Sequence, residues 1–81
     1  MRPRAVSVMP LENYILEIAF SNGERKFFDV KPYLNYPAFK NIKNIFYTVR
    51  IDGLSVAWQD GTDICPDELY YESKQKGTQN D

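Results

Sequence analysis

Alternating apolar and polar residues give the first signal in this chain. Over residues 14–20, Tyr14, Leu16, Ile18 and Phe20 fall on one face and Glu17 on the other, the pattern of a half-buried β-strand. An earlier run, Ala5-Val6-Ser7-Val8-Met9, predicts a first strand ended by Pro10. Ser21-Asn22-Gly23 then reverses the chain into a third strand over 24–30. A two-residue Asn22-Gly23 loop would set Phe28 against Glu17 and Asp29 against Leu16. A three-residue loop with a left-handed Gly23 sets Phe28 against Leu16 and Val30 against Tyr14 instead. Only the second keeps the apolar residues on one face, and it is the predicted register.

Pro32 and Pro37 interrupt residues 31–45, where Tyr33, Leu34, Tyr36, Phe39, Ile42 and Ile45 supply the apolar positions. A helical turn near 32–35 is predicted, because proline suits the first helical position. A second short helix from Pro37 towards Asn44 would place Phe39 and Ile42 on one face. The segment therefore reads as a crossover packed on the sheet. A second hairpin is predicted from 46–51 and 54–58 around a two-residue Asp52-Gly53 turn. That register pairs Ile51 with Leu54, Val49 with Val56, and Tyr47 with Trp58 on one apolar face. Residues 59–64 read as a tight turn and an extended run. Pro66 and the acids Asp67 and Glu68 open a short helix over 66–72. Residues 73–81 lack an apolar anchor and read as a disordered tail, leaving 1–72 as a single domain. The expected fold is α+β: two antiparallel hairpins and an N-terminal strand in one small sheet, with a short helical crossover and a short C-terminal helix.

Composition supports a packed domain rather than a disordered one. The 81 residues are 43% hydrophobic, 15% aromatic and 26% charged. A chain of this size buries only about 60% of its unfolded surface, so most large apolar side chains are needed inside. A single cysteine, Cys65, rules out an intramolecular disulfide and favours a reducing cytoplasm. No apolar stretch approaches the roughly 20 residues that span a bilayer. The basic start, Met1-Arg2-Pro3-Arg4, is not followed by an apolar run of signal length. Net charge is −1, yet residues 1–50 carry eight Lys/Arg against four Asp/Glu and residues 51–81 carry two against seven. That polarity could orient a charged partner, but a solvated surface with an acidic end is the reading that outweighs it.

Candidate chemistry is sparse. With no histidine in the chain, a Cys–His or Ser–His nucleophilic pair is excluded. Cys65 reads as a small buried hydrophobe. Asp60, Asp63, Asp67 and Glu68 form the densest acidic run, but local roles in a turn and at a helix start outweigh metal binding. No cofactor is expected. Trp58 reads as core against Tyr47, or as a half-exposed binding patch beside Tyr70. The candidate interaction surface is accordingly Tyr47, Trp58, Asp60, Asp63, Tyr70 and Tyr71. Arg25, Lys26, Lys40, Lys43 and Arg50 with neighbouring aromatics suggest a nucleic-acid face as the alternative, which the acidic balance disfavours.

With these residues placed, the chain resembles the bacterial domain-of-unknown-function 2442 family. The matching features are the Tyr-x-Leu-x-Ile-x-Phe strand at 14–20, the turn at 21–24, and Asp29-Val30-Lys31-Pro32 with Leu34. The most specific element is the Trp-x-x-Gly-x-Asp-x-x-Pro-x-x-Leu-Tyr pattern from Trp58 to Tyr70. The resemblance implies a small α+β domain without established enzymatic activity or cofactor. It also implies a neighbouring-gene partner of the domain-of-unknown-function 4160 family, or fusion to a helix-turn-helix, and hence an antitoxin-like role. Nothing after residue 71 has the pattern of a helix-turn-helix, so direct DNA binding is not expected. The expected function is a non-enzymatic protein–protein interaction module; its partners are a small protein from the adjacent gene or a second copy joined through edge strands.

Overall fold

The computed structural model describes residues 2–75. Strands β1 (Ala5–Leu11), β2 (Ile15–Phe20) and β3 (Arg25–Asp29) form an antiparallel sheet in the order β1-β2-β3. Leu16 lies opposite Phe28, the register that the apolar pattern predicts. The loop is the three-residue one: the Phe20 N–H donates to Glu24 O at 2.8 Å, the Gly23 N–H to Phe20 O at 2.9 Å, and Gly23 has φ 91°. Leu16, Ile18, Phe20 and Phe28 are all buried. On the opposite face Glu17 pairs with Arg25 at 3.0 Å.

Two strand ends differ from expectation. β1 runs through Pro10 to Leu11, with Pro10 opposite Leu16. An edge strand tolerates proline because the missing N–H can point away from the ladder. β2 starts one residue late, since Asn13 and Tyr14 both adopt positive φ, 63° and 60°, in the turn that joins β1 to β2. A left-handed tyrosine costs about 1 kcal/mol or more. Tyr14 is held there by an edge-on contact with Phe46 at 5.2 Å and by the Val30 N–H, which donates to Tyr14 O at 2.9 Å.

The crossover is built of short pieces rather than one helix from Pro37. Single 3-10 turns at Lys31–Tyr33 and Pro37–Phe39 precede α1 (Ile42–Ile45). Helices this short are not stable alone, so core contacts set their shape. Phe39 and Ile42 both face the core, as their spacing implies.

The second hairpin has a different register from the predicted one. β4 (Arg50–Asp52) and β5 (Ser55–Ala57) pair Ile51 with Val56 and Asp52 with Ser55, so the loop is Gly53-Leu54. Gly53 takes φ 61°, and the left-handed region holds no other non-glycine residue than Asn13 and Tyr14 among the described residues. Glycine first and an ordinary residue second is the type II′ arrangement, not the type I′ that Asp-Gly suggests. The slip is two residues, so Ile51 and Val56 keep their face. Leu54, however, is left 52% exposed, and Phe46–Thr48 winds into a 3-10 turn instead of a strand.

The strands thus divide between two sheets rather than one, joined where the Ala5 N–H donates to Leu54 O at 3.3 Å. After a loop at 59–61, Asp63 bridges Ala57 and the Ile64 N–H donates to Val56 O at 3.3 Å, so β5 is covered on both edges. α2 (Pro66–Glu72) has the predicted bounds and buries Leu69. The chain does not fray at Ser73, which is buried; Lys74 and Phe27 exchange backbone hydrogen bonds of 2.7 and 2.8 Å. The expected disordered tail of 73–81 is therefore wrong for 73–75, and its remainder lies outside the described residues. One apolar cluster, centred on Trp58, Phe28, Phe46, Leu16 and Leu69, joins both sheets to α1 and α2. Among the described residues no helix is long and apolar enough to cross a membrane.

Candidate interaction surface

Trp58 lies beneath the surface it was expected to share: it is fully buried. Its ring packs near Phe39 at 6.0 Å and Phe46 at 6.4 Å, and its Nε1–H donates to Phe46 O at 3.0 Å. Of the two readings the sequence left open, the structure takes the core one. The expected Tyr47–Trp58 strand pair is absent because residue 47 sits in the 3-10 turn. Tyr47 is exposed, edge-on to Phe46 at 5.4 Å, beside a cavity of about 380 Å³ that Glu12, Asn13 and Lys43 also line. Tyr71 is exposed and edge-on to Tyr70 at 5.1 Å. Tyr70 itself is engaged: its hydroxyl donates to Glu24, and Lys26 Nζ sits 3.9 Å from its ring centroid. The bond to Glu24, and then burial, raise the Tyr70 pKa.

The acidic run has mostly local roles. Asp60 accepts the Thr62 N–H at 2.9 Å, and hydrogen bonds from the Thr62 backbone and side chain lower its pKa. Asp67 and Glu68 occupy the first turn of α2, and Asp67 pairs with Arg2 at 2.8 Å. Asp63 is exposed and joins the fold through its backbone bridge to Ala57. No three of these acids are grouped to hold a metal ion among the described residues. Cys65 is exposed, contrary to expectation, because neighbouring Ile64 takes the inward position in extended chain. Three of the five basic residues are engaged: Arg25 with Glu17, Lys26 with Tyr70, and Arg50 Nη1 with Trp58 O at 3.0 Å.

The sequence did not single out the cleft between the crossover and α2. It encloses about 290 Å³; Tyr33 and Tyr36 line it from the crossover, Glu68 and Glu72 from α2, and Asp29 and Lys74 from the edge of β3. The Tyr33 ring lies 5.4 Å from Phe28 and 5.8 Å from Tyr36, the latter edge-on at 79°. Its hydroxyl donates to Glu68 Oε2 at 2.5 Å. Burial, then that bond, then the charges of Glu68 and Glu72 hold its pKa far above the usual tyrosine value. Asp29 Oδ1 is taken by the Lys31 N–H at 2.9 Å and Lys31 Nζ at 3.0 Å. The Glu72 carboxylate has no hydrogen bond or ion pair among the described residues. The Tyr33/Tyr36 and Glu68/Glu72 spacings were visible in the sequence. What was not visible is that segments 35 residues apart meet.

These features define a small hairpin-built α+β domain whose motif residues are largely absorbed by its own folding. The chain belongs to the family described as "Protein of unknown function (DUF2442)", whose model matches residues 5–75. No curated protein and no solved structure matches it.

Proposed function

We propose that this domain is a non-enzymatic protein–protein interaction module, the antitoxin-like or regulatory member of a bacterial two-protein system in the cytoplasm. The observation that carries the reading is a set of exposed tyrosines, each braced edge-on by an inner ring: Tyr36 by Tyr33, Tyr47 by Phe46, Tyr71 by Tyr70. A small domain needs its aromatics in the core, and rigid exposed ones are the side chains that anchor interfaces. Edge pairing is the weaker route to a partner or a second copy. β1 carries a register shift between Ala5 and Ser7 and a proline, and Lys74 covers part of β3. A partner would therefore meet a face rather than an edge.

Co-expression with the product of the neighbouring gene, followed by size exclusion, tests the proposal. Co-elution is expected, with release of the partner's toxicity when Tyr36 and Tyr71 are changed to serine. No co-elution and no effect on toxicity removes the reading.

A further inference from the structure

We propose that the cleft between residues 31–36 and α2 accepts an arginine side chain of the partner protein. The proposal rests on the interaction-module reading and adds the partner's chemistry to it. Tyr33 and Tyr36 meet edge-on and supply aromatic surface, and Tyr36 is 56% exposed, so a ring face is open to a ligand. A guanidinium is planar, weakly hydrated and stacks on such faces, while a carboxylate beside it accepts two parallel N–H bonds. The cleft has that carboxylate. Glu72 is unpaired among the described residues, and Glu68, one turn earlier on α2, has committed only Oε2 to Tyr33. Asp29 is already occupied by Lys31.

Among the described residues Lys74 is the one cation that lines the cleft, and it pairs with none of the three carboxylates there. An anionic ligand would meet those three acids, whereas a cation meets an unspent one. An ammonium could use the charge but not the stacking geometry, which selects arginine over lysine. The Tyr33 phenol stays protonated at neutral pH, so the wall adds no competing charge.

Titration of the peptide acetyl-Gly-Arg-Gly-amide into the isotopically labelled chain, read by amide chemical shifts, tests the proposal. Dose-dependent shifts are expected at Tyr33, Tyr36 and Glu72, several-fold weaker with lysine in place of arginine and absent with citrulline. Glu72→Gln should weaken binding by about fivefold, the scale of a partly exposed ion pair, and Tyr36→Ser by a similar factor. Unchanged thermal melting of both variants would exclude misfolding as the cause. Equal shifts with citrulline, shifts elsewhere, or none would overturn the cleft. The two readings separate cleanly. If the neighbouring gene product co-elutes equally with wild type and E72Q, the cleft falls and the module stands. If the arginine peptide binds while that product does not co-elute, the cleft stands and the module reading falls.

Discussion

Two loops in this domain are nearly copies of each other, yet they lead to different structures. At 20–24 the Phe20 N–H donates to Glu24 O and the Gly23 N–H to Phe20 O; at 58–62 the Trp58 N–H donates to Thr62 O and the Gly61 N–H to Trp58 O. Distances agree at 2.8 and 2.9 Å, and the glycines share φ 91° and 89°. Each loop is further closed by a side chain before the glycine: Asn22 Oδ1 accepts the Glu24 N–H, and Asp60 Oδ1 the Thr62 N–H. Beyond the first loop, alternating residues extend β3 for five residues. Beyond the second, pairing stops after Asp63 and Ile64, because Pro66 lacks an N–H and starts α2. The loop fixes the reversal, and the residues after it decide what is built.

The largest break in this symmetry should come from the residue that enters each loop. Trp58 and Phe20 are both buried, but only Trp58 also donates a side-chain hydrogen bond, to Phe46 O. Trp58→Ala and Phe20→Ala should each cost about 3–5 kcal/mol, with Trp58 at the upper end because it removes the larger side chain and leaves Phe46 O only the 3.4 Å bond from the Val49 N–H. A domain of this size has a total stability of about 5 kcal/mol or little more. Urea denaturation should therefore find Trp58→Ala largely unfolded and Phe20→Ala retaining a transition. The opposite order would show that the first loop, not the second, organises the core.

The glycines test the equivalence itself. Neither Gly23 nor Gly61 has an atom within 4 Å of where a Cβ would sit, so substitution acts through the backbone alone. Gly23→Ala and Gly61→Ala should each cost about 1–2 kcal/mol, and asparagine should recover part of it. Unfolding free energies of the two variants that differ by more than about 1 kcal/mol would mean that the loops are alike only in outline.

The first loop was legible in the sequence and the Asp52-Gly53 region was not, for one physical reason. At 21–23, two- and three-residue loops put different residues inside, so Leu16 and Phe28 select the register. At 52–55 the two candidate registers differ by two residues and keep the same faces, so the apolar pattern cannot choose between them. The choice falls instead to distant partners: the Trp58 indole takes the Phe46 carbonyl, and Ser55 Oγ takes Ile64 O at 2.6 Å. The candidate surface divides in the same way. The helix over 66–72 and its acidic first turn could be read locally, whereas the cleft depends on Tyr33 meeting Glu68 across the fold. Leu54 sharpens the contrast: because it is exposed in the loop, Leu54→Ser should change stability by no more than about 0.5 kcal/mol. Had it paired with Ile51 in the core, the loss would be about 2 kcal/mol or more.

The smallest difference between the loops is electrostatic and shows only in acid. Glu24 has its pKa lowered from 4.5, first by the Tyr70 hydroxyl, then by the Asn22 side chain, and more weakly by the charge of Lys26. Asp60 has its pKa lowered from 3.8 by Thr62 within the loop itself. In both cases the unfolded chain takes up the proton first as the pH falls. The stabilisation is therefore complete above the ordinary carboxylate values and lost as the pH drops through the lowered ones. Tyr70→Phe removes the donor to Glu24 but leaves Asp60 untouched, so it should flatten only part of the decline in urea midpoint between pH 5 and pH 3. Asp60→Asn should flatten the other part, and the two effects should add because the groups share no partner. At the alkaline end the sign reverses for Tyr33 and Tyr70, whose pKa values are raised from 10.0: stability holds below pH 10 and falls above it as the unfolded chain ionises first. Tyr33→Phe should therefore blunt the alkaline limb, and Tyr70→Phe should blunt both limbs because its hydroxyl also holds Glu24. An alkaline limb unchanged by Tyr33→Phe would mean that the hydroxyl bond to Glu68, which closes one wall of the cleft, does not hold in solution.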